Sequence, residues 1–211
     1  EYKSFLRAFE YAATLYHGTE EILDPGETQY SVCRTSQDVL RAKEFLKKFK
    51  RVSCDIETTQ LSPFNLPSQG EAGRSLVIGV SYEKNKAIVF AKSAIPYLQQ
   101  IFDLPIEFVW HGGKFDIMFE YVADKLKVRI DHDLMLLDYT LNETSGTHDL
   151  EQVSMRVIGA DAYKDEANAW IKSKEGFGSA PEEVQFKRVA IDADYTLQCF
   201  EKLYPKVAGD D

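Results

Sequence analysis

Five short strand-like runs lie in the first half of the chain, and from residue 131 onward the apolar spacing is helical. The runs occupy residues 30–33, 51–57, 75–82, 87–90 and 106–110. Residues 83–86 form a turn that makes a hairpin of the third and fourth. A helix over 37–49, opened by Thr35-Ser36, separates the first two, and 93–101 reads as a helix before the fifth. Strands first, then strand–helix alternation, then helices can bury their apolar faces only as an α/β domain around a mixed sheet. We expect five strands flanked by helices.

The remaining segments are placed around that core. Residues 5–16 carry Phe5, Phe9, Ala12, Ala13 and Tyr16 at helical spacing, and Asp24-Pro25-Gly26 breaks the chain after them. Residues 62–74 read as a Pro/Gly/Ser-rich loop. Helical spacing is interrupted at 142–146 and across 159–178, and a last helix runs from about 182 to 204, stopped by Pro205. This divides the chain into an N-terminal helix and linker (1–27), a main domain (28–206) and a tail (207–211). Glu1 stands where an initiating Met would, so the chain reads as a domain cut or processed from something longer. No apolar run approaches the roughly 20 residues that cross a bilayer, so no membrane is expected.

With 44% apolar and 28% charged residues, the 211-residue chain is neither disordered nor fibrous. A net charge of −9 argues against a broad basic face for nucleic acid. A nucleic-acid ligand would have to be met by local cations or by metal ions. Three widely spaced cysteines, Cys33, Cys54 and Cys199, suit a reducing interior such as cytoplasm.

Certain carboxylates are placed to converge. Asp55 and Glu57 are two apart on a strand and share a face, while Val52, Cys54 and Ile56 take the other. Side-by-side like charges are either solvated at a strand end or held by a cation, and oxygen ligands suit Mg²⁺ or Mn²⁺. Asp116 follows a strand and a Gly-Gly turn and opens a helix, as a simple cap or as a site residue whose ionised form the helix N-terminus favours. On the last helix Asp192 and Asp194 point about 160° apart. Asp192 lies on a half-apolar margin with Val189, Thr196 and Cys199, paired either with Arg188 one turn earlier or with a metal. Asp194 shares its side with Glu183, Lys187, Gln198 and Glu201 and reads as surface. Four acids, Asp55, Glu57, Asp116 and Asp192, thus fit two-metal hydrolysis of a phosphodiester.

The stretches Val52-Ser-Cys-Asp55-Ile-Glu57-Thr58-Thr59-Gln60-Leu61, Val109-Trp-His-Gly-Gly-Lys114-Phe115-Asp116 and Ala190-Ile-Asp192-Ala-Asp194-Tyr-Thr196-Leu197-Gln198 occur in that order. Together they resemble the proofreading 3′→5′ exonuclease domain of family A (polymerase I-like) DNA polymerases, in the DEDD superfamily. The resemblance covers about residues 28–206 and implies a ribonuclease H-like fold. It implies two divalent ions, Mg²⁺ or Mn²⁺, held by Asp55, Glu57, Asp116 and Asp192, with Asp55 bridging them and Asp116 reaching the second through water. Thr58, Leu61, Lys114 and Phe115 would meet the substrate, with Leu61 wedged against the terminal bases. Where the family has Tyr four residues before its last Asp, this chain has Arg188, and Gly112 stands where many relatives have Asn. Arginine is always protonated, so Arg188 would hold a phosphate or pair with Asp192 rather than act as a base.

The resemblance implies a metal-dependent exonuclease acting on a single-stranded DNA 3′ end, as the proofreading part of a polymerase chain, in cytoplasm or, if viral, host-cell cytoplasm. A catalytically silent scaffold of the same fold and an RNA-trimming relative similar to ribonuclease D are the alternatives.

Overall fold

Val52, Cys54, Ile56, Ile78 and Val80 on one face of the sheet and Val77 and Val89 on the other are all buried, so helices must cover it twice. The computed structural model describes residues 23–66, 70–144, 146–172 and 176–209. The expected helix over 5–16 lies outside them.

The chain runs β1 (Gln29–Cys33), α1 (Ser36–Leu46), β2 (Arg51–Thr58), β3 (Ser75–Glu83), β4 (Lys86–Ala91), α2 (Gln99–Phe102), β5 (Glu107–Trp110), α3 (Lys114–Phe119), β6 (His132–Asp133), α4 (Leu134–Leu141), α5 (Leu150–Ile158), α6 (Asp165–Ile171) and α7 (Glu182–Ala208). Thr35 caps α1 reciprocally: its hydroxyl accepts from the Asp38 amide at 3.2 Å and the Asp38 carboxylate accepts from the Thr35 amide at 3.0 Å. Strand order is β1-β4-β3-β2-β5-β6, with β3 antiparallel to β2 and β4 and the other pairs parallel.

Several expectations need correction. Among the described residues the sheet has six strands, not five. The sixth is only two residues, Val109 facing His132 and Trp110 facing Asp133, too short to leave a period. The expected helix over 93–101 is a 3₁₀ turn (Ile95–Tyr97) followed by α2. Ile95, Leu98 and Ile101 are all buried, and their spacing of three suits the tighter turn. Within the expected interruption, α6 forms because Ala167 packs in a small cluster with Phe177 and Ala180. The last helix continues through Pro205 to Ala208. Pro205 is one turn from the end, and the carbonyl it leaves unpaired belongs to exposed Glu201. Among the described residues no helix is long and apolar enough to cross a membrane.

Three apolar clusters hold the layers together. Val52, Cys54 and Ile56 of β2 pack under α1 and α2 with Leu46 and Phe102, on the face the alternation predicted. Val109, Leu134, Val153 and Phe200 join β5, α4, α5 and α7. Val77 and Val89 meet Phe186, Val189 and Ala190, seating α7 on the opposite face of β3 and β4. All three cysteines are buried and unpaired.

The approach of α7 to the sheet is unusually close at two points. The Ser53 hydroxyl donates to the Ala193 carbonyl at 2.5 Å. A Cβ at Gly79 would lie 2.5 Å from the Val189 carbonyl oxygen. Gly79 is also the cross-strand partner of Asp55, so one glycine fixes the gap between the strand and the helix that carries Asp192. Gly79→Ala therefore pushes α7 outward, costing about 1–3 kcal/mol, or roughly 2–12 °C in Tm by calorimetry. An unchanged Tm would show that α7 tolerates the displacement.

Candidate active site

The alternation of β2 sends Ser53, Asp55 and Glu57 toward α7, and a register shift after Glu57 ends regular pairing there. Asp192 faces them from α7. One carboxylate oxygen from each of Asp55, Glu57 and Asp192 lies within 4.8 Å of the other two. They stand in an open cleft of about 1030 Å³. Asp116, in the first turn of α3, lines the same cleft and is buried, but stands outside that group of three.

The turn that presents Asp116 is held from below. Gly112 has φ +69°, a left-handed conformation open to glycine at little cost. The Asp133 carboxylate accepts from the Gly112 and Gly113 amides, each at 3.0 Å, and caps α4 through the Met135 amide at 2.9 Å. One side chain thus ties β6, α4 and the Gly-Gly turn together. Beside it, the His111 ring contacts the His148 carbonyl at 2.8 Å, and burial lowers the His111 pKa, favouring a neutral donor. His148 in turn contacts Asp138 at 2.7 Å, and Arg156 donates to both Asp138 oxygens.

Burial and mutual repulsion dominate the electrostatics. Desolvation raises Asp55 well above the usual carboxylate range, with Asp192, Asp116 and Glu57 adding to it. Desolvation pushes Glu57 to about 7 against the pull of Arg188. Asp116 also reaches about 7: its backbone hydrogen bonds favour the ionised form, as expected at a helix N-terminus, but loss of water outweighs them.

Cations and donors partly offset this. Arg188 Nε donates to Glu57 Oε1 and lies 3.8 Å from Asp192 Oδ2, so the expected Arg188–Asp192 pair exists as the weaker of two contacts. The Tyr163 hydroxyl donates to Asp192 Oδ1, and Lys164 Nζ lies 3.2 Å from Asp192 Oδ2. Tyr163 and Lys164 were not expected. They sit in the stretch between α5 and α6 that looked like a mere interruption, and only the path of the folded chain brings them to α7.

Of the expected substrate residues, Thr58, Leu61 and Phe115 line the cleft, with Leu61 85% exposed, whereas Lys114 is exposed on α3 and is not among its lining residues. Asp194 corrects the surface reading. It is fully buried, accepting from Thr28 Oγ1 at 2.6 Å, the Asn85 amide at 2.9 Å and Gln198 at 3.1 Å. A helical wheel sees one helix only. Here the β3–β4 turn and the residues before β1 close over that side.

Three converging carboxylates with a fourth in the same cleft make an all-oxygen donor set that fits a hard divalent ion such as Mg²⁺ or Mn²⁺. Buried acids pressed this close are otherwise an energetic liability.

Residues 30–208 match the profile of a family described as 3′-5′ exonuclease. The chain is 27% identical over 220 residues to the DNA polymerase of Escherichia phage T5, covering 92% of this chain and 24% of that protein. RNase D of Escherichia coli superposes with a TM-score of 0.69 at 15% identity, over 86% of this chain and 46% of that one. The Nibbler EXO domain of Aedes aegypti gives 0.65 at 14% identity, over 90% and 93%. The fold is ribonuclease H-like.

The shifted carboxyls make stability depend on pH. An acid whose folded-state pKa is raised stabilises the fold while protonated, fully so below its unfolded value near 4, and loses that contribution as pH rises through about 7. In EDTA, Tm should fall by several degrees between pH 5.5 and 8, and Mg²⁺ or Mn²⁺ should restore it at pH 8. A Tm in EDTA that rises over that range would contradict the burial of these acids.

Proposed function

The chain belongs to this 3′-5′ exonuclease family, and from that membership we propose that residues 28–206 form a proofreading domain that removes nucleotides from a single-stranded DNA 3′ end. The observation that carries the reading is the convergence of Asp55, Glu57 and Asp192, with Asp116 in the same cleft. Bound there, two divalent ions, Mg²⁺ or Mn²⁺, would supply an activated water and neutralise charge at the leaving oxygen.

Each residue has a role in this reading. Asp55, Glu57 and Asp192 would hold one ion, and Asp116, with Asp55, would serve the other. The cleft is open on the side of Leu61, Thr58 and Phe115, where the terminal nucleotides would lie against apolar and hydroxyl surface. Arg188 remains protonated and would hold the scissile phosphate, reaching it from beside Glu57, its partner in the metal-free cleft. Lys114, exposed beside the cleft, would meet the strand further from its end. Attack by water is direct, without a covalent enzyme intermediate, and the products are nucleoside 5′-monophosphates.

The chain spans about a quarter of the phage polymerase it matches. We place it in a longer polymerase chain, working in the cytoplasm of a host cell. Two other readings have specific motives. Fold neighbours named as ribonucleases raise RNA as the substrate. The hold of Arg188 on Glu57 raises a silent scaffold.

Single-stranded DNA and RNA of one sequence, labelled at the 5′ end, separate these readings when incubated with Mg²⁺ or Mn²⁺. The expected result is a ladder shortening the DNA from its 3′ end, abolished by EDTA and reduced at least about 10²–10³-fold in the Asp55→Ala/Glu57→Ala variant. Faster shortening of the RNA would move the assignment to RNA trimming. Intact DNA and RNA with a folded protein would leave the scaffold.

A further inference from the structure

Lys164 is a cation in the cleft that the chemistry so far does not use. Its ammonium lies 3.2 Å from Asp192 Oδ2, and its side chain is only 16% exposed. It also lines the same cleft as Asp55 and Glu57. Its neighbour Tyr163 donates to the other oxygen of Asp192. The two contacts differ in kind. Tyr163 is a neutral donor on a rigid ring, braced edge-on by Tyr195 at 4.9 Å between centroids. Lys164 is a full charge on a flexible stem with three rotatable donors.

Asp192 Oδ2 belongs to a carboxylate that converges with Asp55 and Glu57 within 4.8 Å. A divalent ion on those oxygens would sit about 2.0–2.6 Å from them, next to the ammonium, and the two like charges would repel strongly at so short a separation. The tyrosine contact can persist beside an ion, but the lysine contact cannot persist unchanged. The displaced ammonium stays tethered in the cleft. Asp55 and Glu57 would be engaged by the ion and Asp149 already caps α5 through the Gln152 amide, so a bound phosphodiester is the anion it can best pair with.

Resting on the exonuclease reading, we propose that Lys164 is a phosphate-binding residue that exchanges partners. Without metal it neutralises Asp192; with metal bound it moves to a non-bridging oxygen of the phosphodiester at the strand end. Tyr163 holds Asp192 in position in both states. The cleft thereby keeps its acids partly compensated when empty and gains a phosphate ligand when loaded.

Removing the charge must then act in opposite directions on two ligands. The Lys164→Met variant of the 211-residue chain should bind Mn²⁺ more tightly than wild type in a calorimetric titration without DNA, by about threefold to tenfold, because a competing cation is gone. Its affinity for a fluorescent single-stranded DNA in Ca²⁺ should fall by a similar factor, and its salt dependence should become shallower by about 0.7 in log–log slope, one phosphate contact on a single strand. Lys164→Arg should recover DNA affinity and slope.

Unchanged or weaker Mn²⁺ binding by Lys164→Met, with an unchanged melting curve, would overturn the exchange and leave a structural ion pair. So would an unchanged salt slope. Both measurements use binding alone. A wild-type chain that binds Mn²⁺ and DNA without hydrolysing it would therefore sink the exonuclease reading, while these two comparisons still decide the role of Lys164.

Discussion

The close seating of α7 on the sheet is the constraint on which the rest depends. Asp55 and Glu57 come from the central strand, and Asp192 from a helix that crosses it, so their separation is set by the helix–sheet gap. That gap is narrowed where Gly79 leaves room for the Val189 carbonyl and where Ser53 hydrogen-bonds to Ala193. Val77 and Val89 below and Phe186, Val189 and Ala190 above fill the surrounding space. Packing of this kind transmits small changes rather than absorbing them. A methyl group at Gly79 is therefore felt at the carboxylates, though the atoms it meets first belong to Val189.

Bringing acids together in a desolvated cleft is costly, and the structure shows how the cost is contained. Arg188 is held to Glu57, while Lys164 and Tyr163 engage the two oxygens of Asp192. Even so, Glu57 and Asp116 are pushed to about 7 and Asp55 well above its ordinary range. Such unrelieved strain is what a cation of higher charge would resolve, which links the packing of the core to the chemistry of the cleft. On the far side of Asp116, Asp133 fixes the Gly-Gly turn without entering the cleft.

The sequence made the local parts of this arrangement legible. Period-two alternation placed Asp55 and Glu57 on one face of β2 and Val52, Cys54 and Ile56 on the other, because a strand allows no alternative. The Gly-Gly turn before Asp116 and the half-apolar margin of Asp192 were equally readable. The errors lie where local pattern is silent. Asp194 looked solvated because its burial comes from Thr28 and Asn85, far away in the chain. Tyr163 and Lys164 were invisible because their segment has no periodicity of its own. β6 was too short to register, and the ionisation of Asp116 depends on burial that no single helix reveals.

The central claim is that Asp55, Glu57 and Asp192 form a metal centre. Anomalous diffraction from a crystal of the chain equilibrated with Mn²⁺ tests it most directly. The account predicts a manganese peak within coordination distance of all three carboxylates, with Lys164 moved away from Asp192. Diffraction showing manganese elsewhere, or none while Lys164 and Arg188 keep their present contacts, would contradict it.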